Sequence, residues 1–330
     1  MKTNGISPSA QDKTYGLVAL GETLVDFTEA GRSENGQRLF EQNPGGAPAN
    51  MLSAVAQLGG RTAFIGKVGN DMHGRFLKAA LQDAGIHTGG MILADDVFTT
   101  LAFVALTDGE REFSFARKPG ADTRLTESEL DAALLENCAV FHFGSLSLTD
   151  EPARSATYAA IRRAKAAGAL ISYDPNYRAG LWPGVSEAVR GIREPLPQAD
   201  LLKVSDEEAA MLSGLYDPES AARALCREGI HLVAVTLGKD GALVCTDGRC
   251  QHVAGFPATA VDTTGAGDAF WGGFLYQFLQ RGKARQTELS DAVDFARFGN
   301  AAAAICVSRR GGIPAMPSLE EVESLICAHE

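Results

Sequence analysis

Residues 260–274 read AVDTTGAGDAFWGGF. Two glycines and then a carboxylate stand at the mouth of an apolar, helix-like run. Glycines let a backbone come close to a ligand, and successive N–H groups at a helix start form a cradle for an anion. Asp268 would repel a phosphate held there unless it had its own task. A general base has one. It takes the proton of a hydroxyl that attacks phosphorus in line, while the cradle holds the group in transit. Taken alone, the stretch also fits a plain helix start whose Asp268 complements the helix dipole.

The rest of the chain says what kind of fold surrounds that helix. GLVALGETLVDF (16–27) reads as a buried first strand, 49–58 as a helix, TAFIGKVG (62–69) as a strand and 74–84 as a helix. Then the period changes. TTLAFVAL (99–106) and REFSFAR (111–117) alternate apolar and polar residues around Thr107-Asp108-Gly109-Glu110, a hairpin signal. Thr126-x-x-Glu129 is a capping box that opens a helix to Leu135. AVFHFGSL (139–146), ALISYD (169–174), DLLKVS (200–205), HLVAVTLG (231–238) and GALVCTD (241–247) read as strands. Helices are expected over 152–167, 206–212, 266–279, 292–307 and 318–328. Such alternation implies an α/β fold: a doubly wound, mostly parallel sheet with helices on both faces. Its ligands belong beyond the carboxyl ends of the strands. The hairpin stands outside the alternation and reads as a small β insertion at the mouth of the site.

Composition removes several function classes. The 330 residues are 45% apolar and 22% charged, as in a soluble globular protein. Lys and Arg number 30 against 41 Asp and Glu, a net charge of -11. A duplex-binding or anionic-membrane surface needs the opposite sign. Backbone N–H groups can still hold a small anion without net positive charge. No 18-residue apolar run appears, so no membrane span is expected. Residues 1–14, MKTNGISPSAQDKT, lack the apolar core of a secretory signal and read as a flexible tail before one domain over 15–330. None of the six cysteines forms a Cys-x-x-Cys pair. Cys245 and Cys250 flank a turn at Asp247-Gly248, where zinc or a disulfide is conceivable. Buried thiols of a reducing cytoplasm are the reading preferred here. There is no Gly-x-x-x-x-Gly-Lys-Ser/Thr loop, and no Gly-x-Gly-x-x-Gly follows the first strand, which disfavours a dinucleotide dehydrogenase.

Other stretches carry polar chemistry. NPGGAPAN (43–50) is a second glycine-rich loop before a helix, ending in a neutral amide. Gly45, Gly46 and Asn50 suit close approach of a neutral polyol, whose hydroxyls need both donors and acceptors. Asp26, at the end of the first strand, is a fitting partner for sugar hydroxyls, or a surface carboxylate. TLGKDG (236–241) follows a buried strand and either wraps a nucleotide or makes a hairpin turn. Ser205-Asp206-Glu207-Glu208 is a helix cap whose carboxylates could also organise hydrated Mg²⁺.

In this order, these segments resemble the ribokinase-like (PfkB) family of ATP-dependent carbohydrate kinases over about residues 16–317. NPGGAPAN followed by FIGKVGNDMHG (64–74), and DTTGAGDAFWGGF (262–274), carry the resemblance most specifically. GETLVDF, TTLAFVAL, FSFARKPGAD, DPNYR and KVSDEE make it most like the bacterial fructokinases within that family.

The resemblance implies a small β-sheet lid from about residues 27–45 and 97–117, which accounts for the hairpin, and a homodimer formed by two clasping lids. It implies that Asp268 is the catalytic base, with the N–H groups of Gly265, Ala266 and Gly267 as the anion hole. Asp26, Gly45, Gly46 and Asn50 match the sugar site. Phe103 and Phe115 of the lid are expected to close over the sugar, and Arg178 to reach toward substrate or phosphate. Ser205, Glu208, Thr236, Gly238, Gly241 and Asn300 match the ATP side. Ser205 stands where the family's Asn-x-x-Glu motif has Asn, and Glu208 is the glutamate that influences Mg²⁺. Asp262 and Thr264, with carbonyls of Cys306, Arg309 and Gly311, match a site for K⁺. Ala315 falls where some members place a Ser oxygen.

The implied partners are a sugar and ATP. The implied reaction is ATP plus D-fructose giving ADP and fructose 6-phosphate in the cytoplasm. Kinases for 2-keto-3-deoxygluconate, ribose or an aminoimidazole riboside share these motifs. An acidic sugar would want an added cation, such as Arg117 or Arg178. A non-catalytic sugar sensor would have lost the base or the anion hole, and this chain keeps both.

Overall fold

The computed structural model describes residues 13–107, 110–282 and 287–330, with backbone alone at 105–107 and 110–113. The turn residues Asp108 and Gly109, and residues 1–12 of the expected tail, lie outside the described residues. The described chain includes Lys13 and Thr14 of that expected tail. Lys13 is buried, and its ammonium donates to the carbonyls of Glu136 at 2.7 Å and Ala167 at 3.0 Å. Both carbonyls close helices, where the dipole attracts a cation.

The elements run β1 (Tyr15–Leu20), β2 (Leu24–Arg32), β3 (Arg38–Gly45), α1 (Ala47–Gln57), β4 (Thr62–Gly69), α2 (Met72–Asp83), β5 (His87–Ala94), β6 (Leu101–Thr107) and β7 (Glu110–Ala116). There follow α3 (Ala132–Glu136), β8 (Cys138–Gly144), α4 (Ala153–Ala166), β9 (Leu170–Asp174), α5 (Val185–Arg193), β10 (Leu201–Ser205), α6 (Asp206–Ser213) and α7 (Pro218–Arg227). The chain closes with β11 (Leu232–Thr236), β12 (Ala242–Thr246), β13 (Arg249–Val253), α8 (Ala266–Arg281), α9 (Leu289–Val307) and α10 (Leu319–Cys327).

A nine-stranded sheet has the order β13-β12-β11-β10-β9-β8-β1-β4-β5. Strands β11 to β5 in that order are parallel, and β12 and β13 turn back antiparallel. Strand β1 shows why both faces are covered. Val18 and Leu20 join the apolar layer with α3 to α7, whereas Leu17 and Ala19 join the layer with α1, α2, α8 and α9. A second sheet, β3-β2-β6-β7, stands apart as the lid.

The first apolar run does not make one strand. It breaks at Gly21-Glu22-Thr23, and β2 enters the lid. A side chain at Gly21 would meet Pro48 Cγ at 2.7 Å, so the glycine lets the turn pack on α1. The capping box at Thr126 forms, but it opens only a short 3₁₀ turn. Leu130 goes extended, and Asp131 caps α3 afresh. Cys245 and Cys250 correct the free-thiol reading. They face each other in the β12–β13 register and are joined in a disulfide, while Cys138, Cys226, Cys306 and Cys327 are free. Among the described residues no helix is long and apolar enough to cross a membrane.

Candidate active site

A cleft of about 770 Å³ lies beyond the carboxyl ends of β1, β8, β9, β10 and β11, under the lid. Glu22, Asp26, Asn43 and Phe115 mark one end, and Ser205, Glu207, Met211 and Thr236 the other. The loop from Asp262 and the first turn of α8 lie between them.

Gly265 caps α8 at φ 78°, in the left-handed region that favours glycine. The first-turn N–H groups of such a helix lack intrahelical acceptors. Here the Ala266 N–H turns to the Thr263 carbonyl at 3.3 Å. Asp268 is only 6% exposed, yet its carboxylate reaches the cleft. One oxygen accepts from Asn50 Nδ2 at 2.8 Å, the other from Asn176 Nδ2 at 3.2 Å. Asn176 sits at φ 46°, a strained backbone that Asn tolerates better than most residues. Burial, with the nearby Asp174 charge, pushes Asp268 up to about 6, against the pull of Lys203 and the Asn50 hydrogen bond. Lys203 Nζ is buried beside it and donates to Asp174 Oδ2 at 2.9 Å.

At the lid end, Asp26 is also pushed up to about 6 by burial, with Arg178 pulling it down and the charges of Asp262 and Asp268 adding to the rise. Gly45 does not line the cleft but makes room for Asp26. A side-chain carbon at Gly45 would fall on Asp26 Oδ2. Gly46, at φ 109°, lies so close to Glu22 and Thr23 that a side chain would meet the Glu22 carbonyl at 2.5 Å. Phe115 faces the cleft, but Phe103 does not. Their strands pair Phe103 with Ser114 and Ala102 with Phe115, so the two rings lie on opposite faces of the lid. Phe103 instead stacks on Phe27 with centroids 5.3 Å apart. Arg178 lines the cleft. Arg117 is 4% exposed and spent: it pairs with Asp122 at 2.7 Å and donates to Thr149 Oγ1 and the Leu146 carbonyl. It has no free face for an acidic sugar.

At the other end, Ser205, Glu208 and Thr236 line the cleft; Gly238, Gly241 and Asn300 do not. Asn300 Nδ2 donates to the carbonyls of Val253 and Ala254 at 3.0 and 3.1 Å, pinning β13 to α9. Gly241 serves the β11–β12 turn, since a side chain there would strike the Val253 carbonyl at 2.2 Å. Glu208 accepts from Tyr177 N at 2.6 Å and Ser205 N at 2.8 Å. Among the described residues no three metal-ligating side chains converge. Glu207 and Glu208 at this end are the carboxylates placed for Mg²⁺.

Asp262 accepts from Thr264 N and Oγ1 at 3.0 and 2.8 Å, and from Gly311 N at 3.1 Å, which gathers these three beside the α8 cap. Cys306 Sγ lies 3.7 Å from the Thr264 carbonyl. Arg309 pairs with Glu321. Neither Cys306 nor Arg309 lines the cleft.

Glu22, Asn176 and Lys203 line the cleft but were given no role from sequence, and neither was Asp174, which pairs with Lys203 and does not line the cleft. The signal for Lys203 was a lysine inside the apolar strand LLKVS, since a buried lysine needs a partner and a reason. Burial pushes Glu22 up to about 7, and its Oε1 accepts from Ala47 N at 3.1 Å.

Comparison with known proteins bears on this geometry. The sequence pattern of the pfkB family carbohydrate kinases matches residues 16–319. Fructokinase-1 of Zea mays is 44% identical over 314 residues, covering 94% of this chain and 97% of that protein. Fructokinase-1 of Oryza sativa subsp. japonica is 45% identical over 316 residues, with 94% and 97% coverage. The crystal structure of a Xylella fastidiosa fructokinase with bound ATP superposes with a TM-score of 0.87 at 36% identity, covering 96% of this chain and 99% of that one. A Vibrio cholerae fructokinase with fructose, ADP and calcium bound gives 0.85 at 34% identity, covering 94% and 99%.

Proposed function

The chain belongs to the pfkB family of carbohydrate kinases, and from that premise we propose that it phosphorylates D-fructose to fructose 6-phosphate with ATP. One observation carries the reading. A buried carboxylate, Asp268, stands at the mouth of α8 between the end of the cleft that carries Asp26 and Asn43 and the end that carries Ser205 and Thr236. In-line transfer needs mainly positioning and charge stabilisation. A fructose hydroxyl oxygen forms a bond to the γ-phosphorus, the bond to the bridging oxygen breaks, and ADP leaves. The hydroxyl proton goes to an Asp268 oxygen. The free N–H groups of the α8 cap hold the phosphoryl oxygens. Asp26 and the buried Oδ1 of Asn50, which has no hydrogen-bond partner among the described residues, accept from the other hydroxyls.

Bound Mg²⁺ would neutralise charge between the phosphates, held near Glu207 and Glu208. K⁺ beside Asp262 and Thr264 would add positive charge behind the α8 cap. The reading includes a cytoplasmic enzyme and a homodimer through the lid. The locked Arg117 counts against an acidic sugar.

The test is ADP release with Mg-ATP and K⁺ across D-fructose, ribose, mannose, glucose, 2-keto-3-deoxygluconate and aminoimidazole riboside. The expected result is a kcat/KM for fructose well above all others. A higher value for another acceptor would overturn fructose and keep the kinase chemistry.

A further inference from the structure

We propose that Lys203 is a second holder of the γ-phosphoryl group, a cation built into the floor of the anion hole. The inference rests on the kinase reading above. Lys203 lies at the centre of β10, and its side chain is 6% exposed. Yet it lines the cleft together with Gly265, Ala266, Gly267 and Asp268. A single carbon added to Gly267 would sit 2.9 Å from Nζ, so the ammonium lies against the cradle itself. An ammonium carries three donors. One is used on Asp174 Oδ2 at 2.9 Å, and no other hydrogen bond is formed from Nζ to a described residue.

A buried ion pair of this kind adds little stability over an apolar pair of the same size. Its placement suits a different task. Asp174 holds the ammonium in position against the cradle glycine. The open donors then meet a phosphoryl oxygen that the N–H groups of the α8 cap hold from the other side. Burial pulls the ammonium toward neutrality, but the charges of Asp174, Glu208 and Asp268 more than offset it, so Lys203 stays charged. Gly267 belongs to the same arrangement. It keeps the cradle open to Nζ, which any side chain would displace.

Equilibrium binding of Mg-AMP-PNP and Mg-ADP to the full chain, with no sugar present, tests this. AMP-PNP carries the terminal phosphoryl and ADP does not. The Lys203→Met variant is expected to lose about tenfold or more in AMP-PNP affinity, as for a lost charge-assisted hydrogen bond, with ADP affinity changed less than about threefold. Lys203→Arg should keep part of the AMP-PNP preference. Lys203→Met leaves Asp174 buried without its cation, so the double variant Lys203→Met/Asp174→Asn is measured beside it. That variant should fold with a Tm near the parent's and show the same selective loss. Equal losses for both nucleotides, or none, in the folded double variant would overturn the proposal. Because no sugar is present, such a result leaves the fructose assignment standing, and the acceptor panel leaves this one standing.

Discussion

The residue on which the chemistry turns is Asp268. As a base it must be ionised, and burial raises it to about 6 rather than the ordinary value near 4. Below about pH 6 it holds a proton and cannot accept another. Turnover should therefore fall as pH drops through 6 and level off above about pH 7. Asp26 rises to a similar value, so the acid limb of kcat/KM should be steeper than a single protonation gives. In Asp26→Asn the limb should become single and KM should rise. Asp268→Asn should lower kcat by at least ~10² with Tm little changed. A variant turning over near the parental rate would remove Asp268 from the mechanism. The sequence announced Asp268 because its neighbours are glycines at a helix start, a local pattern. Asn176 and Lys203 were not legible in the same way. Asn176 follows β9 and Lys203 lies within β10, and only the sheet order β9-β10 brings them together at α8. Phe103 shows a subtler limit. Both lid strands were read correctly, but which face a ring takes depends on the register between them, which the turn sets.

At the scale of elements, the start of α1 works as a joint between the lid and the body. Strand β3 ends at Gly45, and α1 begins at Ala47 with only Gly46 between them. The two glycines there have different duties. Gly45 has ordinary backbone geometry, and its missing side chain is the space Asp26 occupies. Gly45→Ala should push Asp26 out of place and raise the KM for the sugar by about tenfold or more, with Tm nearly unchanged. Gly46 combines a φ of 109° with contacts to the Glu22 backbone. Gly46→Ala should cost about 1–3 kcal/mol of stability, read as a lower denaturant midpoint. If both variants lost stability alike and neither changed KM, the division of labour would be wrong. The long periodic elements were legible from composition alone, because an apolar period survives any tertiary setting. Helix α7 carried its own signal, Asp217 as cap and Pro218 in the first turn, and was passed over. The break at Gly21-Glu22-Thr23 had no such signal. Apolar residues resume at Leu24 after only three residues, and Pro48, packed from α1, meets the bend at Gly21.

The whole molecule poses a question of surfaces. The lid is a four-stranded sheet with β3 and β7 at its edges. One face covers the cleft through Asp26, Thr28, Val104 and Phe115. The other carries Phe27, Phe40 and Phe103, stacked and edge-on to one another. Helix α2 covers part of that face through His73, which meets Phe27 edge-on at 5.6 Å. Beyond it, Phe40 and Phe103 are each 37% exposed. Aromatic residues gathered on one exposed face mark an association surface more often than a solvated one. A second copy of the lid offers the same face, so a two-fold pairing would cover both at once. The expected outcome is a dimer by sedimentation velocity at micromolar concentration. Phe40→Glu with Phe103→Asp should weaken it by roughly 2 kcal/mol or more, about thirtyfold, giving a monomer in the same range. The monomer should keep its Tm, since neither residue enters the main core. Its KM for the sugar should rise, because a lid without its mate holds Asp26 and Phe115 less firmly over the cleft. A parent chain that sediments as a monomer, or a double variant that stays dimeric, would move the association surface away from the lid. An unchanged KM in a true monomer would separate assembly from catalysis and leave the lid to close alone.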